Sequence, residues 1–74
     1  MKLHNRVRAL RFQTGEMSQQ ALADAVEVTR MTIYSIEKGK FVPSALLAFK
    51  IARAFDVDIN EVFWLEDDDD GVEK

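Results

Sequence analysis

Apolar residues recur three and four positions apart along most of this chain, in short blocks separated by residues that start or stop helices. That is the period of helices with one buried face. Val7 and Leu10 mark the inner side of a first helix, from about Leu3 or Asn5 to Thr14, which Gly15 ends. Two short helices follow, at about 18–25 and 29–38, with Ser18 and Thr29 as their caps and Gly39 as the stop. Leu22, Ala23, Val26, Val28, Ile33 and Ile36 point one way and can seal that pair to a third helix. The chain must turn at Glu27, and residues 40–43 read as a loop, with Val42 extended because it precedes Pro43. Ser44 caps a helix over about 45–55 with the stripe Leu47, Ala48, Ile51, Ala52 and Phe55. Asp58 caps a fifth over about 59–64, which brings in Ile59, Val62 and Phe63. No segment alternates long enough to predict a long strand. The pattern therefore predicts an all-α, five-helix domain over residues 1–65, followed by a frayed acidic tail over residues 66–74.

The stretch Ser18–Gly39 is the most informative. Its second helix buries Ile33 and Ile36 and leaves Arg30, Met31, Tyr34, Ser35 and Lys38 on the other side. A short helix held rigidly, with a polar and partly basic face outward, suits the major groove of DNA. Further positions carry a family likeness: Gln19 opening the motif, small Ala23 within it, the Glu37-Lys38-Gly39 ending, Pro43-Ser44 with Leu47-Ala48 and Ile51-Ala52, and Ile59-Asn60-Glu61-Val62-Phe63. Over about residues 5–64 the chain resembles the Cro/C1-type (xenobiotic-response-element-like) helix-turn-helix regulators, which include phage repressors. The resemblance implies a lambda-repressor-like fold. It also implies a sequence-specific regulator that binds double-stranded DNA as a homodimer on a two-fold-symmetric operator, in a bacterial, archaeal or phage-infected cytoplasm. In relatives of this size the ends sometimes pair, which makes a ribbon of Met1–His4 with Trp64–Asp67 an alternative to helix there. The family commonly joins an Arg of the first helix to a Glu near the end of the recognition helix; the matching residues are Arg11 and Glu37. Glu27 stands where the family usually has Gly, and with a positive φ it would cost roughly 1–2 kcal/mol.

Charge changes the picture. The whole chain of 74 residues carries a net −3. Residues 1–65 hold nine Lys/Arg and seven Asp/Glu, a net +2, whereas residues 66–74 hold six Asp/Glu and one Lys, a net −5. A basic face on a mildly basic body is the footprint of a nucleic-acid binder, whatever the total. With no cysteine there is no disulfide framework, thiol nucleophile or cysteine zinc site. His4 is the sole histidine, and there is no Ser-His-Asp set, phosphate loop or dinucleotide fingerprint. The chain is expected to be neither an enzyme nor a cofactor or metal binder. It shows no membrane-length apolar run, no signal peptide and no separate domain for a small-molecule effector.

Each candidate has a plainer reading beside it. Arg30, Met31, Tyr34 and Ser35 are base-edge candidates: Arg30 can fork onto guanine O6 and N7, and Met31 or Tyr34 can meet a thymine methyl. The plainer reading is a solvent face. Gln19, Thr29, Thr32, Lys38 and Lys40 are phosphate candidates, with Arg6 and Arg8 behind them. Gln19 is equally a good helix former, Thr29 a simple cap and Thr32 a packing residue. Leu46, Phe49, Phe63, Trp64 and Leu65 exceed what one small core needs and suggest a dimer interface, against a broad core stripe with one exposed leucine. Asp67–Asp70 lacks the spaced ligands of a calcium loop and reads as a solvated tail. The competing function class is a protein-binding module, such as the antitoxin of a toxin–antitoxin pair.

Overall fold

The structure, a computed structural model, describes residues 1–67. Strand β1 (Lys2–Asn5) leads into α1 (Val7–Gln13), α2 (Gln19–Val26), α3 (Arg30–Glu37) and α4 (Ala45–Ala54). A 3-10 turn (Ile59–Glu61) and strand β2 (Phe63–Glu66) complete it. Among the described residues the fold is thus four α-helices with a two-stranded antiparallel ribbon, not five α-helices.

The cap residues set where the helices start. The hydroxyls of Ser18, Thr29 and Ser44 accept from the backbone N–H of Ala21, Thr32 and Leu47 at 3.0, 3.3 and 3.1 Å. Each removes one of the unpaired donors that a helix leaves at its start. The helix ends share a device as well. Gly15, Glu16, Glu27, Gly39 and Asp56 all take left-handed φ, and the chain then bonds back to the helix just left. Val28 N–H reaches Ala23 O at 3.0 Å, Lys40 N–H reaches Ser35 O at 2.9 Å, and Val57 N–H reaches Ala52 O at 3.1 Å. Glu27, with φ 67°, sets the angle between α2 and α3.

Both ends of the chain depart from the helical pattern, for one reason. Lys2, Leu3, His4 and Asn5 pair with Glu66, Leu65, Trp64 and Phe63. A β-ladder satisfies the backbone of both segments at once, which helix on either side alone would not do. The first helix therefore begins at Val7 and not at Leu3 or Asn5, and the fifth is reduced to one 3-10 turn. Asn5 marks the switch. Its Oδ1 accepts from Val7 N–H at 3.0 Å, and its Nδ2 donates to Ile36 O at 2.9 Å, pinning the ribbon to the end of α3. Glu66 lies within β2 and not in a tail; the rest of the expected tail, from residue 68, lies outside the described residues.

The core is one cluster of fourteen buried apolar residues drawn from all four helices, β2 and the turns. Leu22, Ile33, Ile36 and Ile51 are its largest fully enclosed side chains, each contributing about 1.5–3 kcal/mol of burial. Phe63 belongs to this core at 7% exposure, so it is not a residue offered to a partner. No helix among the described residues is long and apolar enough to cross a membrane.

Candidate nucleic-acid interface

The short α3 is held on its inner side by Ile33 and Ile36, both enclosed. With that face fixed, the opposite face is presented to solvent. Arg30, Met31 and Tyr34 are exposed there, and Ser35 and Thr32 are partly covered. Met31 is 59% exposed on a helix with a full core behind it. Tyr34 carries Lys38 over its ring at 5.7 Å, so the two form one aromatic and cationic ridge. Lys38 and Lys40 stand exposed on either side of Gly39, just past the helix.

Behind the ridge lies a buried polar hub. Arg11 Nε donates to Glu37 Oε2 at 2.6 Å, and Arg11 Nη2 donates to Glu37 Oε1 at 3.1 Å. Their side chains are only 8% and 6% exposed. The two-pronged geometry suits the planar guanidinium fork. Arg11 Nη1 also donates to Met17 O at 2.8 Å, so the residue ties α1 to the entrance of α2 and to the last turn of α3. The cost of desolvating the pair is met by this full set of partners.

Gln19 extends the hub outward. Its Nε2 donates to Glu37 Oε1 at 3.1 Å, and its Oε1 accepts from Arg30 Nη1 at 3.4 Å. Its amide is therefore engaged within the protein, and the side chain joins the buried pair to the Arg30 guanidinium. The helical period places Gln19 at the start of α2 but carries no sign of this bridge, because its partners lie 11 and 18 residues away. Thr29 caps α3, and its hydroxyl is also within 3.1 Å of the Thr32 hydroxyl.

Asn5 and Lys50 were not singled out by the sequence pattern. Lys50 Nζ meets Glu27 Oε1 at 3.0 Å, bracing the α2–α3 turn against α4. Arg6 lies not against α3 but over the Trp64 ring at 5.1 Å, and Arg8 lies over Phe12 at 5.3 Å. Among the described residues, no three His, Cys, Asp or Glu side chains group to hold a metal ion.

Two helices at a fixed angle, the second braced from behind and solvent-facing in front, define the helix-turn-helix class. A family model described as helix-turn-helix matches residues 9–62, and the chain belongs to the Cro/C1-type branch of that family. It is 48% identical over 66 residues to an uncharacterized HTH-type transcriptional regulator, YgzD, of Bacillus subtilis, covering 89% of this chain and 98% of the relative. It is 51% identical over 53 residues to an uncharacterized HTH-type transcriptional regulator of Methanocaldococcus jannaschii, covering 72% and 80%. Among solved structures it resembles the restriction-modification controller protein C.AhdI of Aeromonas hydrophila, with TM-score 0.69 and 31% identity over 74% of this chain and 82% of that one. A putative DNA-binding protein of Bacteroides fragilis, at 21% identity and TM-score 0.72 over 82% of this chain and 97% of that one, shares the fold.

Proposed function

We propose that this protein is a sequence-specific regulator of transcription that binds double-stranded DNA as a homodimer on a two-fold-symmetric operator. The observation that carries the reading is the exposed face of α3, with Arg30, Met31 and Tyr34 outward on a helix braced by Arg11 and Glu37. The N-terminal half of α3 enters a major groove. Arg30 reads a base edge there, with Met31, Tyr34 and Ser35 against neighbouring bases. Thr29, Thr32, Lys38 and Lys40 hold phosphates on either side, and Gln19 keeps Arg30 aligned while adding a phosphate contact through the α2 N-terminus. One α3 covers only a few base pairs. Two copies reading successive grooves about 34 Å apart supply the specificity that a genome demands. The mechanism is occupancy: bound protein blocks or recruits polymerase, without catalysis, cofactor or small-molecule effector. The named relatives come from prokaryotes, whose DNA lies in the cytoplasm, and that is where this protein acts.

Selection of bound sites from a random duplex pool, with affinity measured across a salt series, tests this. The expected result is an enriched palindrome, bound at least about 10³-fold more tightly than random duplex, with affinity falling steeply as salt rises. A protein-binding module, such as an antitoxin without its own DNA site, would enrich no sequence and show no salt-dependent retention.

A further inference from the structure

Two clefts meet at the end of α3, and cations line both. One lies between α1 and α3 and is lined by Arg6, Arg8 and Phe12, together with Asn5 and Glu37. The other lies between β1 and α3 and is lined by Lys2, Lys38 and Gly39, again with Asn5 and Glu37. Arg6, Arg8, Lys2 and Lys38 are all exposed, and none makes a salt bridge among the described residues. Among those residues, Glu37 is the one carboxylate lining either cleft, and it is already engaged. Its side chain is buried, and its two oxygens accept from Arg11 and Gln19. His4, also on the second cleft, meets Glu66 at 3.2 Å.

The two arginines are held in place before any ligand arrives. Arg6 lies over the half-covered Trp64 ring and Arg8 over the Phe12 ring. A guanidinium stacked on a ring gives up rotamer freedom to that contact, while its N–H edge stays available to an oxyanion. Phe12 is 52% exposed and lies outside the core cluster, so its ring packs the arginines and not the interior. A row of unpaired cations with no unpaired carboxylate suits a polyanion. Its place in the fold says which one. Both clefts adjoin the last turn of α3, and a duplex that holds α3 in its major groove carries its phosphate strands past the ends of that helix. We infer that this face of α1 and the ribbon holds the phosphates flanking the base pairs that α3 reads, so that the protein grips duplex outside its recognition sequence. Arg6 and Arg8 take phosphate oxygens through their guanidinium forks, and Lys2 extends the row begun by Lys38. Leu46 and Phe49, exposed on α4 at 68% and 59%, line neither cleft. The assignment rests on the DNA-binding reading above and not on the homodimer.

Fluorescence anisotropy of the full chain on the selected site, carried on duplexes of decreasing flank length and repeated over a salt series, tests the assignment. Wild-type affinity is expected to fall as the flanks are trimmed to the base-read sequence. Arg6→Gln, Arg8→Gln and Lys2→Gln should each lower the salt slope by about one and weaken selected and random duplex by the same factor. The triple variant should lose the dependence on flank length. Glutamine keeps an aliphatic stem over each ring, and thermal melts of every variant check that the fold is retained. Arg53→Gln, exposed on α4 and lining neither cleft, should match wild type. A folded triple variant with wild-type slope and wild-type flank dependence would overturn this face and leave the regulator standing. If that variant instead loses binding of an Asp/Glu-rich peptide that the wild type retains, the face belongs to an acidic protein and the assignment is overturned. A wild type without salt-dependent DNA binding would overturn both readings.

Discussion

Arg11 and Glu37 form a buried ion pair behind the exposed face of α3. Both are buried, and each is the other's main partner. Removing one leaves an uncompensated charge, so Glu37→Gln or Arg11→Met should cost about 3–5 kcal/mol, read as a lower denaturation midpoint. The double variant Arg11→Met with Glu37→Leu should recover much of that loss, because a well-packed apolar pair avoids the desolvation penalty. A single variant as stable as wild type would show that the pair carries no stability. Arg30 and Lys38 should part company in a binding assay. Arg30→Ala is expected to cost about 1–3 kcal/mol on the selected site and to relax one base position. Lys38→Ala should weaken all sequences alike and reduce the salt slope by about one. Equal losses on selected and random duplex for Arg30→Ala would place that guanidinium on phosphate instead.

The turn between α2 and α3 passes through one residue in the left-handed region. Glu27 holds φ 67° without being glycine, a conformation that costs an ordinary side chain about 1–2 kcal/mol. Its exposed contact with Lys50 offsets little of this. Glu27→Gly should therefore raise stability by roughly 0.5–1 kcal/mol, the relief of strain exceeding the added chain entropy and the lost ion pair. Thermal melts of Glu27→Gly beside Lys50→Ala separate the two contributions. A Glu27→Gly protein that melts below wild type would mean that the Lys50 contact outweighs the strain.

For the molecule as a whole, charge is unevenly divided along the chain. Residues 68–74 carry four carboxylates and one lysine, a net −3, while the body presents Arg30, Lys38 and Lys40 beside α3. Deleting 68–74 leaves the Lys2–Glu66 ribbon pairing intact, so the melting temperature should hold. Non-specific DNA affinity at low salt should rise, because a like-charged segment no longer repels the phosphates. The gap should close near physiological salt, where screening acts beyond about 8 Å. A gap that persists at that salt would point to a direct contact and not to long-range repulsion.

Local signals carried the helical part of this fold. Ser18, Thr29 and Ser44 cap their helices through contacts three residues away, and Gly39 ends α3 through its own φ, so those boundaries are written within a turn of themselves. The outward set on α3 follows from the same period, since burying Ile33 and Ile36 leaves Arg30, Met31 and Tyr34 facing solvent. The chain ends were decided at long range. Residues 2–5 and 63–66 are four-residue segments too short to show a period, and each is a strand only because the other pairs with it across some sixty positions. That pairing shortened the first helix and reduced the fifth to a 3-10 turn, while Phe63 is buried as the helical pattern also expected. The link from Glu37 through Gln19 to Arg30 also belongs to tertiary structure alone. It joins residues from three helices whose hydrogen-bonding atoms meet only after the hydrophobic faces have packed, and no spacing along a chain encodes a contact of that kind.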